Sequence, residues 1–201
     1  MIKNYIFDFG NVLSRYYPDE LTASCTDNPE DIRLISDIVF DRLYWDRLDS
    51  GDISDSEVKK CICSRLPEDK HSLACKVYDS WVANMTPVEG MQQLISDIRN
   101  TDKKLYLLSN ISQGFANTYA DVPWLKELLG KFDGLVLSGT LGMVKPHKEI
   151  FEHLLNKYGL NADECLFVDD SPKNIAGAES VGIKGYLFDG DANKLRRYLG
   201  L

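Results

Sequence analysis

The sequence contains no apolar run approaching the ~18 residues of a membrane span. Its first residues lack the basic segment and apolar stretch of a secretory signal, so the expected location is cytoplasmic, with no membrane partner. Positive charge is in deficit. There are 23 Lys and Arg against 31 Asp and Glu, a net charge of −8. That balance argues against nucleic acid or an anionic membrane as the main partner. It leaves room for a small anionic substrate, because one metal ion reverses a local field. A disulfide framework is not indicated, since the five cysteines are an odd number. Cys61 and Cys63 stand closer than a CxxC pair and read as helix packing rather than zinc ligands. Histidine is scarce: His71, His147 and His153 read as surface or partly packed residues, with His147 close enough to Lys145 to be watched. Internal repeats and low-complexity segments are absent.

What is present suits one α/β unit with an insertion. The chain has 201 residues, of which 44% are apolar, enough for a sizeable core. Short apolar runs at 3–8, 104–109, 134–138, 164–169 and 184–188 fit strands buried on both faces. Helical patterns separate the last four, as in a parallel sheet with crossover helices. Helix starts are expected at Thr86-Pro87-Val88-Glu89, at Ser171-Pro172, and at the capping box Ser54 to Glu57. Gly159 stops the helix that follows Pro146. Residues 29–49, 54–66 and 70–84 read as helical, the first through Ile32, Ile35, Val39 and Leu43. A connection of that length is no plain crossover. The expected division is a core of 1–13 plus 86–201, with 14–85 as an inserted α-helical cap.

In an open parallel sheet, ligands bind at the carboxyl ends of the strands. Four such ends carry polar groups here. The first strand ends at Asp8 and the second at Ser109-Asn110. The loop after the third carries Lys145-Pro146, and the fourth ends at Asp169-Asp170. Each alone has an ordinary explanation as a cap, turn or solvated residue. Together they supply a carboxylate nucleophile, a hydroxyl donor, a cation and an acidic pair. Receiver domains of response regulators order their groups differently, with the acidic pair first.

The order Asp, Ser, Lys, Asp-Asp resembles the haloacid dehalogenase superfamily, whose members are mostly phosphatases. "YIFDFGNVL" is similar to its first motif, "LLSN" to its second, "GMVKP" to its third and "FVDDSPKN" to its fourth. The FDxGNV start and "LSGTLGMVKP" are most similar to bacterial phosphatases of small sugar phosphates, including glucose-1-phosphate phosphatases. The resemblance implies a Rossmann-like parallel sheet with a helical cap. It implies Mg²⁺ as cofactor, held by Asp8, Asp170 and the backbone carbonyl of Gly10, with Asp169 as a direct or water-mediated ligand. Asp8 would form an aspartyl-phosphate. Ser109 and the Asn110 N–H would bind phosphate oxygens. Lys145 would neutralise charge, and Asn174 would orient the site. The expected substrate is a small phosphorylated metabolite.

Gly10 departs from the pattern. Relatives usually carry there a second Asp that protonates the leaving group. Three readings stand: a leaving group that needs little protonation, a cap residue or water that supplies the proton, or a weakly active or inactive binding relative. A metal-free 2-haloacid dehalogenase also lacks this Asp, but has no use for the Asp169-Asp170 pair. A phosphomutase depends most on the missing group. Arg15, Tyr16, Tyr17, Tyr44 and Trp45 are the candidates for facing the substrate from the cap, and Leu43, Trp45 and Leu48 for a homodimer surface.

Overall fold

A computed structural model describes residues 1–201. Five parallel strands form the central sheet: β1 (Asn4–Phe7), β4 (Lys104–Ser109), β5 (Gly134–Leu137), β6 (Cys165–Asp169) and β7 (Lys184–Leu187), in spatial order β5-β4-β1-β6-β7. The short β2 (Ser14–Arg15) and β3 (Thr86–Pro87) pair antiparallel at the sheet's end. The period-2 alternation of strands sorts side chains to two faces. Tyr5, Phe7, Leu105 and Leu107 join one core with α6 (Met91–Arg99), α8 (Pro123–Leu129) and α11 (Ala192–Leu199). Ile6, Tyr106, Leu108 and Phe167 join the other with α9 (Lys148–Tyr158) and α10 (Pro172–Glu179). The result is a three-layer α/β/α arrangement, the expected fold class. The sheet strands fall within one residue of the expected runs.

Between β2 and β3 lie five helices: α1 (Pro18–Ala23), α2 (Pro29–Val39), α3 (Arg42–Asp49), α4 (Asp55–Ser64) and α5 (His71–Ser80). They roof the carboxyl end of the sheet, joined to it by one aromatic row. Phe40 stacks on Trp45 at 5.6 Å, Trp45 meets Trp81 edge-on at 5.2 Å, and Trp81 reaches Phe115 at 6.2 Å. Phe115, on α7 (Gln113–Thr118), packs 4.8 Å from Phe9, just past β1. No helix is long and apolar enough to cross a membrane.

Local departures have identifiable causes. Residues 29–49 do not form one helix. Phe40 and Asp41 break it, and the Asp41 carboxylate caps α3 by accepting from the Leu43 N–H at 2.9 Å. The break rotates Leu43 out of phase, leaving it 71% exposed. Thr86-Pro87 is not a helix start; its backbone pairs with Ser14-Arg15, and the helix begins four residues later behind Gly90, which adopts the left-handed φ of +79°. Ser171 precedes α10 as expected but makes no side-chain cap. The box at Ser54 forms with both reciprocal bonds, and Gly159 ends α9 in the left-handed region. Gly177 permits close approach: a Cβ there would sit 2.4 Å from the Pro146 carbonyl oxygen, so glycine lets α10 press against the loop carrying Lys145.

Candidate functional site

The parallel strand ends deliver their polar groups to one cavity of about 370 Å³ beneath the helical roof. Asp8, Gly10, Ser109, Asn110, Lys145 and Asp170 all line it. Asp169 does not; it is fully buried beneath the floor.

The floor is an ion-pair network. The Asp8 backbone N–H donates to the Val168 carbonyl at 2.9 Å, which continues the β1–β6 ladder one residue further and fixes the carboxylate's base. Lys145 Nζ lies 2.7 Å from Asp8 Oδ1 and 2.7 Å from Asp169 Oδ2. Asp169 Oδ1 also accepts from the Ser171 N–H at 2.8 Å, and Asn174 Nδ2 donates to both Asp169 oxygens at 3.0 Å. Asp169 thereby holds Lys145 and the turn into α10. The Lys145 backbone is clamped by the Asn110 side chain, whose Oδ1 accepts at 2.7 Å and whose Nδ2 donates at 2.9 Å. The Asn110 N–H has no backbone acceptor, and Asn110 lines the cavity.

Burial pushes the Asp8 carboxyl up to about 6, opposed by the Lys145 charge. For Lys145 burial alone would lower the value, but the two carboxylates outweigh it and hold the ammonium above the ordinary lysine range. At Asp170 desolvation, then the Asp169 charge, raise the carboxyl.

Carboxylate oxygens of Asp8, Asp169 and Asp170 lie within 4.8 Å of one another. The Gly10 carbonyl accepts no backbone hydrogen bond. An all-oxygen donor set of this kind fits a hard divalent cation. Asn11 stitches this edge together: it takes a positive φ of 55°, donates from Nδ2 to Asp170 Oδ2 at 3.4 Å, and accepts from the Tyr16 N–H at 3.1 Å.

The roof matches the sequence expectations less well. Tyr16 and Trp45 line the cavity. Tyr44 is buried away from it against Arg65, while Arg15 pairs with Glu20 and stacks over the exposed Tyr17. Of the three residues expected at a homodimer surface, Trp45 and Leu48 are interior and Leu43 is exposed. His147 begins α9 outside the cavity, and the His71 ring bonds the Leu66 carbonyl. Cys63 and Cys75 face each other 3.9 Å apart between α4 and α5, a helix contact.

Trp81, Met85, Arg42 and Asp49 complete the roof, none of them expected. Asp49 is 8% exposed. Desolvation pushes its carboxyl up to about 7. One sequence signal points to it: an acid in the last turn of a helix, where the macrodipole disfavours negative charge.

Residues 2–182 match the family model described as haloacid dehalogenase-like hydrolase. A sesquiterpene phosphatase of Aspergillus oryzae is 25% identical over 98% of this chain and 97% of its own length. A D-ribitol-5-phosphate phosphatase of Bacteroides thetaiotaomicron is 29% identical over 92% and 91%. A solved enzyme of this family from Bacteroides thetaiotaomicron, in complex with magnesium and inorganic phosphate, superposes with a TM-score of 0.72 at 21% identity, covering 97% of this chain and 99% of that one.

Proposed function

The chain belongs to the haloacid dehalogenase-like hydrolases, and from that premise we propose that it hydrolyses the phosphate monoester of a small alcohol through an aspartyl-phosphate on Asp8. The observation that carries this reading is the Lys145 ammonium held 2.7 Å from a buried Asp8 carboxylate at the cavity floor. The phosphatase relatives and the magnesium and phosphate of the solved neighbour support it.

Phosphoryl transfer needs placement and charge neutralisation more than elaborate bonding. Asp8 attacks phosphorus in line with the departing alkoxide. Ser109 Oγ and the Asn110 N–H donate to phosphate oxygens, and Lys145 offsets charge on both the nucleophile and the transferring group. Asp169 positions Lys145. Asp8, Asp170 and the Gly10 carbonyl would hold Mg²⁺. Bound there, the ion supplies the positive charge that lets a carboxylate approach a phosphate dianion. Residues 1–13 and 86–201 form the catalytic core in this scheme, and residues 14–85 the cap that selects the alcohol.

The cavity wall opposite the floor is aromatic: Tyr16, Trp45 and Trp81. It suits a sugar or polyol stacked by its C–H face. It equally favours a second reading, an apolar isoprenoid alcohol. Phosphate release from a panel holding sugar phosphates, polyol phosphates and prenyl phosphates, with and without Mg²⁺, tests both. Metal-dependent release from one class is expected. Halide release from 2-haloacids without metal would replace the phosphatase by a dehalogenase. Magnesium binding with no turnover on any ester would leave a binding protein.

A further inference from the structure

The site as described has no group to protonate the alkoxide that leaves. Gly10 stands where such a group would be expected, and space does not explain the glycine: a Cβ built on it meets nothing within 4 Å, and its φ is not positive. We propose that the Asp49 carboxyl is the acid–base catalyst of this site, delivering its proton from the roof rather than from the first motif. The inference rests on the phosphatase reading above.

Placement supports it. Asp49 is the last residue of α3, and its carbonyl accepts a 2.5 Å bond from the Ser138 hydroxyl. Ser138 is fully buried at the end of β5 and accepts from the Ile111 N–H at 2.9 Å. One hydroxyl thus registers the roof carboxyl against the loop of Ser109 and Asn110, the proposed grip on the phosphate. The Asp49 carboxyl makes no hydrogen bond within the protein, and the residue lines the cavity. A carboxyl so largely removed from water, with no internal donor, is expected to be protonated much of the time near neutral pH. Arg42 and Asp46 face it from its own helix, Asp8 and Lys145 from the floor, and Tyr16 from the first loop. Desolvation outweighs them and pushes the carboxyl up to about 7, into the range suited to exchanging protons at physiological pH.

The chemistry balances. As the bond from Asp8 Oδ to phosphorus forms, the bond from phosphorus to the alcohol oxygen breaks, and that oxygen takes the Asp49 proton. The Asp49 carboxylate then removes a proton from water as the water oxygen bonds to phosphorus. The aspartyl bond breaks, phosphate leaves, and both carboxyl groups return to their starting forms.

The test compares alkyl and aryl phosphates in wild type and in Asp49→Asn, with added Mg²⁺. Phosphorylation of Asp8 sets kcat/KM, and an aryl alcohol is acidic enough to leave unaided. For alkyl esters kcat/KM should fall roughly 10²–10⁴-fold. For the aryl ester it should hold within about threefold of wild type, a window set by the smallness of the acid's part in expelling an acidic alcohol. With the aryl ester the slower second step should produce a burst of aryl alcohol, and acid-quenched protein should carry one phosphoryl group by intact mass. The decline of kcat/KM for alkyl esters above pH ~7, where a required acid is ionised, should disappear in the variant. Adding Gly10→Asp to Asp49→Asn should restore part of the alkyl activity. Equal losses on both ester classes, with no burst, would overturn the role of Asp49 and leave the phosphatase reading standing. Wild type inactive on every ester would instead sink that reading, and this one with it. Thermal midpoints of all variants identify any loss that is merely unfolding.

Discussion

The floor and the roof of the cavity are built on opposite principles. In the floor the buried charges are partnered: Lys145 bridges Asp8 and Asp169, and Asn174 and Ser171 donate to Asp169. In the roof the wall is aromatic, and its one buried carboxyl, Asp49, has no partner in the protein. A partnered network holds geometry and charge constant. An unpartnered carboxyl can change its protonation without dragging a network along. The floor is thus suited to the step every phosphate ester shares, and the roof to what differs between esters.

Removing the nucleophile breaks the contrast most severely. Asp8→Asn should lower turnover on the order of 10⁶-fold, the scale for loss of a covalent nucleophile. The drop should be the same for every ester, unlike that of a roof variant. Continuous phosphate-release assays would show it, and turnover above a trace would remove Asp8 from its role.

Next comes the network itself. Lys145→Ala leaves Asp8 and Asp169 facing each other without the cation. Breaking a buried pair from one side costs about 3–5 kcal/mol. Urea unfolding should show that loss, and a variant as stable as wild type would mean the carboxylates are already neutral.

Asn174→Ala removes the Nδ2 donor shared by both Asp169 oxygens but leaves Lys145 and the Ser171 N–H in place. About 1.5–3 kcal/mol is expected for bonds to a charged group. Activity should fall with stability here, because a loosened Asp169 lets the Lys145 ammonium drift.

The smallest effect belongs to the roof's periphery. Ser54→Ala deletes one side of the cap at the start of α4, worth about 1 kcal/mol. Chemical denaturation should register it while kcat/KM stays unchanged on every ester. A selective change in activity would show that α4 helps shape the cavity.

The same division governed what could be read from residues alone. Asp8, Ser109, Lys145 and Asp170 were legible because each ends or follows a short apolar run, and parallel strands must bring those ends together. The sheet followed for the same reason. Asp169 was legible as an acid but not as the partner of Lys145, because chain position does not tell which way a buried carboxylate turns. In the roof, position says little. Arg15, Tyr16 and Tyr17 are consecutive, yet only Tyr16 turns inward. The break at Phe40 and Asp41 resets the helical phase, carrying Leu43 into solvent and Asp49 over the cavity. Thr86-Pro87 had the letters of a helix start, but pairing with Ser14-Arg15 outweighed local propensity.

The empty space at Gly10 has a consequence for heredity. Every glycine codon is one base from an aspartate or a glutamate codon, so a carboxyl at this position is one mutation away, and a Cβ there meets nothing within 4 Å. The glycine is therefore not a relic that packing protects. With Asp49 already overhead, a carboxyl at position 10 would be a second acid beside one departing oxygen, and the two would titrate as a coupled pair rather than independently.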